Sequence, residues 1–274
     1  MIRFPNAKIN LGLSIVSKRA DGYHNLETVF YPVNICDVLE VLPNKTGDIV
    51  LHASGLEVTA SVEDNLLVKA YRLLQQHYPI GGVDVYFRKQ IPFGAGMGGG
   101  SADASFLLLL LRDLFLPEVT DDRLAELALT IGADCPFFIY NRPVYAQGKG
   151  ELFTHIGFSL KDYQLVVVKP EVHVSTKDAF SKVVPTTPAL SVAEVVATMP
   201  VSQWKGKLHN DFEASVFAIH PVLREIKDRL YESGALYAAM SGSGSALFGI
   251  FPQEARLRAE DYPNCFFWQG NCEY

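Results

Sequence analysis

The chain has 274 residues and a formal net charge of −6, from 24 basic and 30 acidic residues, and 49% of its residues are hydrophobic. This composition excludes disorder as the main state, because enough apolar surface is available to offset chain entropy. The acidic balance argues against a surface built for nucleic acid or an anionic membrane, since both need clustered Lys and Arg. No apolar run approaches the ~20 residues that span a bilayer. We therefore expect a soluble, cytoplasmic protein.

The N-terminal segment alternates with a period of two. Apolar residues recur at positions 9, 11, 13 and 15, and polar or small residues lie between them. This pattern predicts a half-buried strand over residues 7–16 that carries Lys8 and Asn10 side by side on its polar face. Asp21 and Gly22 predict a turn, and residues 26–33 and 38–42 predict further strands.

Helices dominate the next part of the chain. Asp64 or Asn65 can cap a helix that begins at residue 66, and the alternation over residues 83–87 predicts another strand. Residues 102–115 are apolar nearly all round, which predicts a helix in the interior. Thr120 caps a further helix that ends at Gly132.

The second half of the chain repeats this mixture of strands and helices. Ser191 and Glu194 form a predicted capping box, and a Gly/Ser segment over Ser241–Ser245, the serine loop, joins two predicted strands. The remaining predicted elements are a strand over 164–169, helices over 210–220 and 221–233, and strands over 236–240 and 245–251. Irregular alternation, with several consecutive strands near the N-terminus, favours an α+β fold.

A glycine-rich segment lies directly before the predicted interior helix. Residues 92–105 read PFGAGMGGGSADAS, and we call residues 92–102 the glycine loop. Bare backbone N–H groups and the partial positive charge of a helix N-terminus both suit phosphate. A flexible linker is the alternative, but linkers seldom run into a buried helix. The segment also satisfies G-x-G-x-x-G, yet the dinucleotide fingerprint expects a uniformly apolar strand without a proline such as Pro92.

Several motifs together resemble the GHMP kinase family. The glycine loop resembles the phosphate loop of that family, with Met97 where many members have Leu. Four further segments agree with one branch of the family, in the expected order along the chain: residues 5–13, 21–30, 132–136 and 240–246. The resemblance implies a two-domain GHMP kinase fold with the active site in the cleft between the domains. We expect an N-terminal domain over 1–150 and a C-terminal domain over 151–274.

The resembled branch transfers the γ-phosphoryl group of ATP to the 2-hydroxyl of a cytidine-diphosphate-linked methylerythritol, in the non-mevalonate isoprenoid pathway. The resemblance therefore implies ATP and Mg²⁺ as cofactors and a small-molecule substrate as the partner, without nucleic acid or membrane. No motif identifies the metal ligand, and Ser101 is one candidate. The residues that the resemblance assigns to the nucleotide are Pro92, Phe93, Gly94, Ala95, Gly96, Met97, Gly98, Gly99, Gly100, Ser101 and Ala102.

Two residues match the catalytic pair of the family. By the resemblance, Asp134 is the base that takes the proton of the attacking hydroxyl, and Lys8 keeps that carboxylate ionised and orients the hydroxyl. From the sequence alone, Asp134 is equally suited to cap the segment that follows it. A lysine on the polar face of a strand is ordinarily solvated.

Four residues are candidates for the substrate. Tyr23 and His24 follow the predicted turn and could stack on a cytosine and hydrogen-bond to it, although a histidine in a turn often bonds only to local backbone. Asn10 shares the strand face of Lys8, and Phe30 lies on the next predicted strand. Phe180 ranks below these as a further candidate, because core packing is the commoner fate of a phenylalanine.

Three alternatives stay open at this point. Another small-molecule GHMP kinase, of the mevalonate or homoserine type, is disfavoured by Tyr23 and His24, because neither mevalonate nor homoserine contains a nucleobase that these side chains could bind. A dinucleotide-dependent oxidoreductase rests on the weak G-x-G-x-x-G match alone. A GHMP-fold module without catalytic activity is disfavoured by the presence of both Lys8 and Asp134.

Overall fold

The computed structural model describes residues 1–57, 61, 64–253 and 255–272. Its strands are β1 (Ile2–Arg3), β2 (Asn6–Lys18), β3 (His24–Cys36), β4 (Val38–Pro43), β5 (Ile49–Gly55), β6 (Val83–Lys89), β7 (Val144–Gln147), β8 (Leu152–His155), β9 (Tyr163–Pro170), β10 (Tyr237–Met240), β11 (Leu247–Pro252) and β12 (Cys265–Asn271). Its α-helices are α1 (Leu66–His77), α2 (Gly99–Phe115), α3 (Asp121–Leu129), α4 (Cys135–Tyr140), α5 (Thr176–Phe180), α6 (Val192–Thr198), α7 (Glu213–Ile219) and α8 (Pro221–Glu232). The predicted α+β class is confirmed.

The chain forms two compact units, and neither is one continuous stretch of sequence. The first unit contains residues 1–7, 35–93 and 98–142, and the second contains residues 8–34, 94–97 and 143–274. The glycine loop therefore contributes residues to both units. The expected division into 1–150 and 151–274 concerns the domains of the resembled family and stays a prediction.

The first unit combines one mixed sheet with α1 to α4. The strand order is β1-β4-β6-β5, and β6 is antiparallel to β4 but parallel to β5. Helix α2 packs against α1, α4 and β4, and its residues from Ala102 to Leu111 are all buried. This burial follows from the nearly continuous apolar sequence of α2.

Local capping signals define the ends of several helices. The side chain of Asn65 accepts from the backbone N–H of Leu67 and caps α1, and Ser191 and Glu194 form the predicted capping box of α6. Helix α2 begins at Gly99, three residues before the predicted start, because Gly98 adopts a left-handed conformation and serves as the N-cap. The prediction that residues 99–101 belong to a loop was therefore wrong.

The second unit contains two sheets, in the orders β2-β3-β7-β8 and β10-β11-β9-β12. Helices α7 and α8 pack on the second sheet, and the apolar core there includes Val166 and Val168 of β9 and Leu223 and Leu230 of α8. The predicted helix over 210–220 begins only at Glu213. The residues before it are not helical because their backbone pairs with β2: Leu13 N–H donates to His209 O, and Asp211 N–H donates to Leu13 O.

Strand β2 is more deeply buried than its alternating sequence predicts. Lys8 and Asn10 are 3% and 2% exposed, so the expectation of a solvated polar face was wrong. At Gly12 this face is covered by Val192 and Leu208, each of which lies 3.1 Å from the position that a Cβ on Gly12 would occupy. Both polar side chains must therefore find their partners inside the protein.

Among the described residues, five strands were not predicted, namely β1, β5, β7, β8 and β12. None of the helices in the described ranges is long and apolar enough to cross a membrane.

Candidate active site

The glycine loop turns left-handed at every second residue. Gly94, Gly96 and Gly98 have φ angles of +58°, +68° and +69°, a region that residues with a side chain rarely adopt. Left-handed residues are one component of the backbone nest, in which successive N–H groups converge on one concavity and bind anions. At Gly96 the close approach is also steric, because a Cβ there would lie 2.0 Å from the carbonyl oxygen of Ser241.

The carbonyl oxygens of the middle of the loop, residues 94–97, are all engaged within the second unit. The serine loop and the residue after it supply three donors: Ser245 N–H to Gly94 O at 3.1 Å, Ala246 N–H to Ala95 O at 3.1 Å, and Ser241 Oγ to Gly96 O at 2.8 Å. The backbone N–H of Lys8 donates to Met97 O at 2.9 Å. These bonds fix the peptide planes and turn their negative ends toward the protein.

The N-terminus of α2 completes the loop in the first unit. Ala102 N–H donates to Gly98 O at 2.8 Å, which closes the first helical turn. The backbone N–H groups of Gly99, Gly100 and Ser101 precede it, and the first N–H groups of a helix lack intrahelical acceptors. Together with the helix dipole, these groups can bind a phosphate without any basic side chain.

Lys8 belongs to a buried polar network on β2 and β3. Its Nζ donates to Asn10 Oδ1 at 2.7 Å, so the predicted juxtaposition of these side chains is confirmed. Asn10 Nδ2 in turn donates to Thr28 Oγ1 at 3.0 Å. Lys8 Nζ also lies 4.9 Å from the centre of the Phe30 ring, and Phe30 is 3% exposed. The position of Phe30 beneath the ammonium group gives it a supporting role toward Lys8.

Asp134 occupies the N-cap position of α4 in the first unit. The prediction that Asp134 caps the segment that follows it is confirmed for its position, although its side chain makes no capping hydrogen bond to that helix. Cys135 and Pro136 follow it at the helix start, and both are buried. Burial raises the pKa of the Cys135 thiol to about 11, although hydrogen bonding to Ser101 opposes that shift.

Aromatic side chains meet at the predicted turn of the second unit. The His24 ring stacks on Phe180, with ring centres 4.8 Å apart and an interplanar angle of 23°. Phe180 also packs edge-on against Phe212 at 4.7 Å. Tyr23 is 61% exposed, and Lys149 Nζ lies 5.1 Å from the centre of its ring. The structure therefore brings His24 and Phe180 together and leaves the Tyr23 ring open to a stacking partner.

Sequence reasoning missed two buried groups beside the glycine loop. Asn210 Nδ2 donates to Met240 O at 2.7 Å and to Gly242 O at 2.8 Å, and so supports the serine loop. In the first unit, Lys89 Nζ donates to carboxylate oxygens of Asp37 and Asp103. One signal for Lys89 was present, because the alternation of β6 places it on the same face as the buried Val83 and Phe87. A lysine on that face requires a buried carboxylate partner.

Comparisons with known proteins show the family of this chain. A model described as the N-terminal domain of GHMP kinases matches residues 65–142, and one described as the GHMP kinase C-terminal region matches residues 192–266. The chain is 54% identical over 271 residues to a 4-diphosphocytidyl-2-C-methyl-D-erythritol kinase of Bacteroides fragilis, covering 98% of both chains. It is 51% identical over 271 residues to the corresponding kinase of Parabacteroides distasonis, covering 98% of this chain and 99% of that one.

A solved structure extends the agreement to the fold. The crystal structure of a 4-(cytidine 5'-diphospho)-2C-methyl-D-erythritol kinase matches with a TM-score of 0.80 at 34% identity, covering 98% of each chain. The predicted GHMP kinase fold is thereby confirmed, because sequence and structure match over nearly the full length. The chain belongs to the GHMP kinase family.

Proposed function

We propose that this chain is an ATP-dependent kinase that phosphorylates the 2-hydroxyl of 4-diphosphocytidyl-2-C-methyl-D-erythritol, a step of the non-mevalonate isoprenoid pathway. The observation that carries the proposal is 54% identity over 271 residues to a kinase named for that substrate. A match of this length includes the glycine loop, Lys8 and Asp134 together. A cytoplasmic location and the absence of a nucleic-acid partner stay predictions from composition.

The proposed nucleotide site is the glycine loop. Its left-handed glycines and the start of α2 supply N–H donors, and the carbonyl oxygens of residues 94–97 are already bonded elsewhere. A triphosphate can therefore approach the loop backbone without repulsion from those oxygens. This arrangement also accounts for phosphate binding by a protein with a net charge of −6, because the positive potential comes from backbone rather than from a basic surface.

In the proposed reaction, the 2-hydroxyl oxygen forms a bond to the γ-phosphorus while the bond from that phosphorus to the β,γ-bridging oxygen breaks and ADP leaves. Asp134 accepts the hydroxyl proton, and Lys8 orients the hydroxyl through its ammonium group. Most of the acceleration in phosphoryl transfer comes from positioning and charge stabilisation, so a weak base suffices. The bonds of Lys8 to Asn10 and of Asn10 to Thr28 hold its ammonium group in one place.

Mg²⁺ would accompany the nucleotide and would reduce the charge of the triphosphate. Among the described residues, no group of three or more His, Cys, Asp or Glu side chains could hold a metal ion. In nucleotide sites Mg²⁺ is usually held by substrate phosphates, water and few protein ligands. Ser101 is the candidate protein ligand, because its hydroxyl lies in the first turn of α2.

The proposed cytidine site is formed by Tyr23 and His24, with Asn10 and Phe30 on the neighbouring strands. The exposed Tyr23 ring offers a stacking surface, and the His24 imidazole offers hydrogen bonds to the base. Phe180 joins this group because it stacks on His24. A base that stacked on Phe180 in place of the His24 ring would free the imidazole for hydrogen bonding.

The activity is tested by incubating the full chain with ATP, Mg²⁺ and the cytidine-diphosphate substrate and measuring ADP release. Mevalonate and homoserine serve as competing acceptors. ADP release with the cytidine substrate alone supports the proposal, whereas release only with mevalonate or homoserine would overturn the substrate and retain the family. Thermal stabilisation by NAD(P)H in place of ATP would instead favour the oxidoreductase alternative.

The base assignment is tested separately with Asp134→Asn. We expect kcat to fall at least ~10²-fold, the low end for general acid–base catalysis, with the substrate KM little changed. The matched control is Asp162→Asn, which makes the same chemical change at an exposed position and should leave kcat unaltered. Near-normal kcat in Asp134→Asn would remove Asp134 from the role of base.

A further inference from the structure

Three charged side chains form a buried cluster in the first unit. Lys89 Nζ lies 2.6 Å from Asp37 Oδ2 and 2.7 Å from Asp103 Oδ2. The three side chains are 1%, 0% and 5% exposed. Burying such charges carries a large desolvation cost, and apolar residues of similar volume would often be as stable. The cluster therefore requires an explanation beyond the filling of space.

Asp37 connects the cluster to the start of the glycine loop. Its second carboxylate oxygen, Oδ1, accepts the backbone N–H of Gln90 at 2.5 Å and that of Ile91 at 2.9 Å. Asp37 is itself held by the segment between β1 and β2, since its own N–H donates to Pro5 O at 2.8 Å. One carboxylate thus holds Lys89 and the two residues that lead into Pro92.

Asp103 connects the same lysine to the end of the loop. It is the fifth residue of α2, which begins at Gly99. The helix start also contacts the strand end directly, because a Cβ on Gly99 would lie 2.9 Å from Ile91 Cγ2 and 3.0 Å from Lys89 Nζ. Both ends of the loop are therefore held against the same ammonium group.

We propose that Asp37, Lys89 and Asp103 form a clamp that sets the separation of the two ends of the glycine loop and so positions its N–H groups for the phosphates of ATP. The inference rests on the proposed function in that it takes the loop as the nucleotide site. Lys89 and Asp103 act as positioning residues, since neither has an exposed surface through which to touch the nucleotide. Loop closure is costly for a flexible chain, and a clamp that meets this cost before binding increases affinity.

One detail distinguishes the clamp from an ordinary ion pair. Asp103 Oδ1 is buried and has no hydrogen-bond partner, so part of the desolvation cost of Asp103 is not recovered locally. Burial also raises the pKa of Asp103 well above its usual range. The feature of Asp103 that the clamp requires is an oxygen that accepts from Lys89, and an amide can supply it as well as a carboxyl group.

The test measures binding without turnover, on the full chain with MgCl₂. Calorimetry gives Kd for AMP-PNP, a non-hydrolysable ATP analogue, and separately for CDP, which probes the cytidine side. Lys89→Met keeps an unbranched side chain, one atom shorter, and removes its charge. We expect AMP-PNP to bind at least ~10-fold more weakly, equivalent to about 1.4 kcal/mol, and CDP to change by less than ~2-fold.

Two substitutions at Asp103 keep the test decisive if Lys89→Met does not fold. Asp103→Leu keeps the branched shape of the side chain and removes the acceptor, and it should weaken AMP-PNP binding by ~5–10-fold. Asp103→Asn restores an acceptor and should return Kd to within ~2-fold of wild type. The matched control is Arg3→Met, which removes the 2.6 Å ion pair to Asp113 at the opposite end of the same helix and should leave both Kd values unchanged.

The outcomes separate the clamp from a purely structural cluster. Selective loss of AMP-PNP affinity, with rescue by Asn, supports the clamp. Unchanged AMP-PNP affinity in the folded variants, or equal weakening of AMP-PNP and CDP, overturns it. If the variants show this selective loss of AMP-PNP affinity but the wild-type chain releases no ADP in the kinase assay, the clamp is supported and the proposed function fails. If wild type binds no AMP-PNP, both fail.

Discussion

The two glycine-rich loops of the molecule use their polar groups in different ways. The glycine loop runs into the N-terminus of α2, where helix N–H groups lack intrahelical acceptors. The serine loop joins two antiparallel strands, β10 and β11, and two of its three hydroxyls donate to protein carbonyls: Ser241 Oγ to Gly96 O, and Ser245 Oγ to Val172 O at 2.6 Å. In the proposed site the glycine loop presents donors to a ligand, whereas these two hydroxyls of the serine loop donate to the protein itself.

This difference shows that glycine content alone does not identify a phosphate site. The serine loop has two glycines in five residues, yet what it contributes is support for the carbonyl oxygens of the glycine loop. The feature that indicates phosphate binding is the helix that follows, because it supplies aligned N–H groups and a dipole. The serine loop is therefore expected to act on stability and on nucleotide affinity, and not on the chemical step.

The largest effect is expected where the two loops touch. Gly96→Ala places a Cβ 2.0 Å from the carbonyl oxygen of Ser241 and also imposes a left-handed φ of +68° on an alanine. The strain and the collision together should lower the free energy of unfolding by about 2–5 kcal/mol. ATP affinity should fall at least ~10-fold, because the loop must shift. Urea unfolding and nucleotide titration measure the two effects.

Gly206→Ala separates the collision from the backbone strain. Gly206 has a similar φ of +77°, and no atom lies within 4 Å of its Cβ position. The free energy of unfolding of this variant should fall only by the cost of a left-handed alanine, about 1–2 kcal/mol. Its affinity for ATP should be unchanged. If the two alanine variants lose the same unfolding free energy and the same ATP affinity, the contact between the two loops does not contribute to either, and the comparison fails.

The next effect is expected at the support of the serine loop. Asn210→Ala removes the donors to Met240 O and Gly242 O and the acceptor for Phe212 N–H, all of them buried. Unsatisfied buried groups of this kind should cost about 1–3 kcal/mol of unfolding free energy. The KM for ATP should rise less than in Gly96→Ala, since the glycine loop keeps its own conformation. A lower kcat with unchanged stability would contradict a supporting role.

The sequence could predict those parts of the site that depend on local pattern. Alternation over residues 7–16 predicted that Lys8 and Asn10 lie together, and the bond between their side chains confirms it. The apolar run after the glycine loop predicted the interior helix, which is α2. Each of these features is set by residues within a few positions of one another, where strand and helix periodicity apply.

The rest depended on contacts between residues that are distant in sequence. The clamp joins residues 37, 89 and 103, and no local rule selects Asp37 as the partner of a lysine 52 positions away. At Gly12 the polar face of β2 is covered by Val192 and Leu208, which pack over it. The alternation that predicted the strand could not show that this face is covered, because periodicity gives the faces of a strand and not their neighbours.

A smaller effect, dependent on pH, is expected at the end of the glycine loop. Because burial raises the pKa of Asp103 above its ordinary value of 3.8, the folded chain binds this proton more tightly than the unfolded chain does. The contribution of Asp103 to the free energy of unfolding is therefore complete below its pKa in the unfolded chain. This contribution is lost as the pH rises toward the higher pKa in the folded chain. Asp103→Asn lacks the titration, so its Tm relative to wild type should rise from about pH 5 to about pH 8. A difference in Tm that is constant with pH would contradict the shift.

The smallest effect is expected for Ser241→Ala, which tests the serine loop most directly. The substitution removes a single neutral hydrogen bond of 2.8 Å to Gly96 O, worth about 0.5–1.5 kcal/mol. Unfolding in urea should show that loss, and kcat should stay within ~2-fold of wild type because no proposed step uses the hydroxyl. Ser245→Ala removes the matching bond to Val172 O and should behave alike. If Ser241→Ala lowers kcat at least ~10-fold at unchanged stability, the hydroxyl of Ser241 acts on the reacting groups. The serine loop would then belong to the catalytic site, and the distinction between a binding loop and a supporting loop would no longer hold.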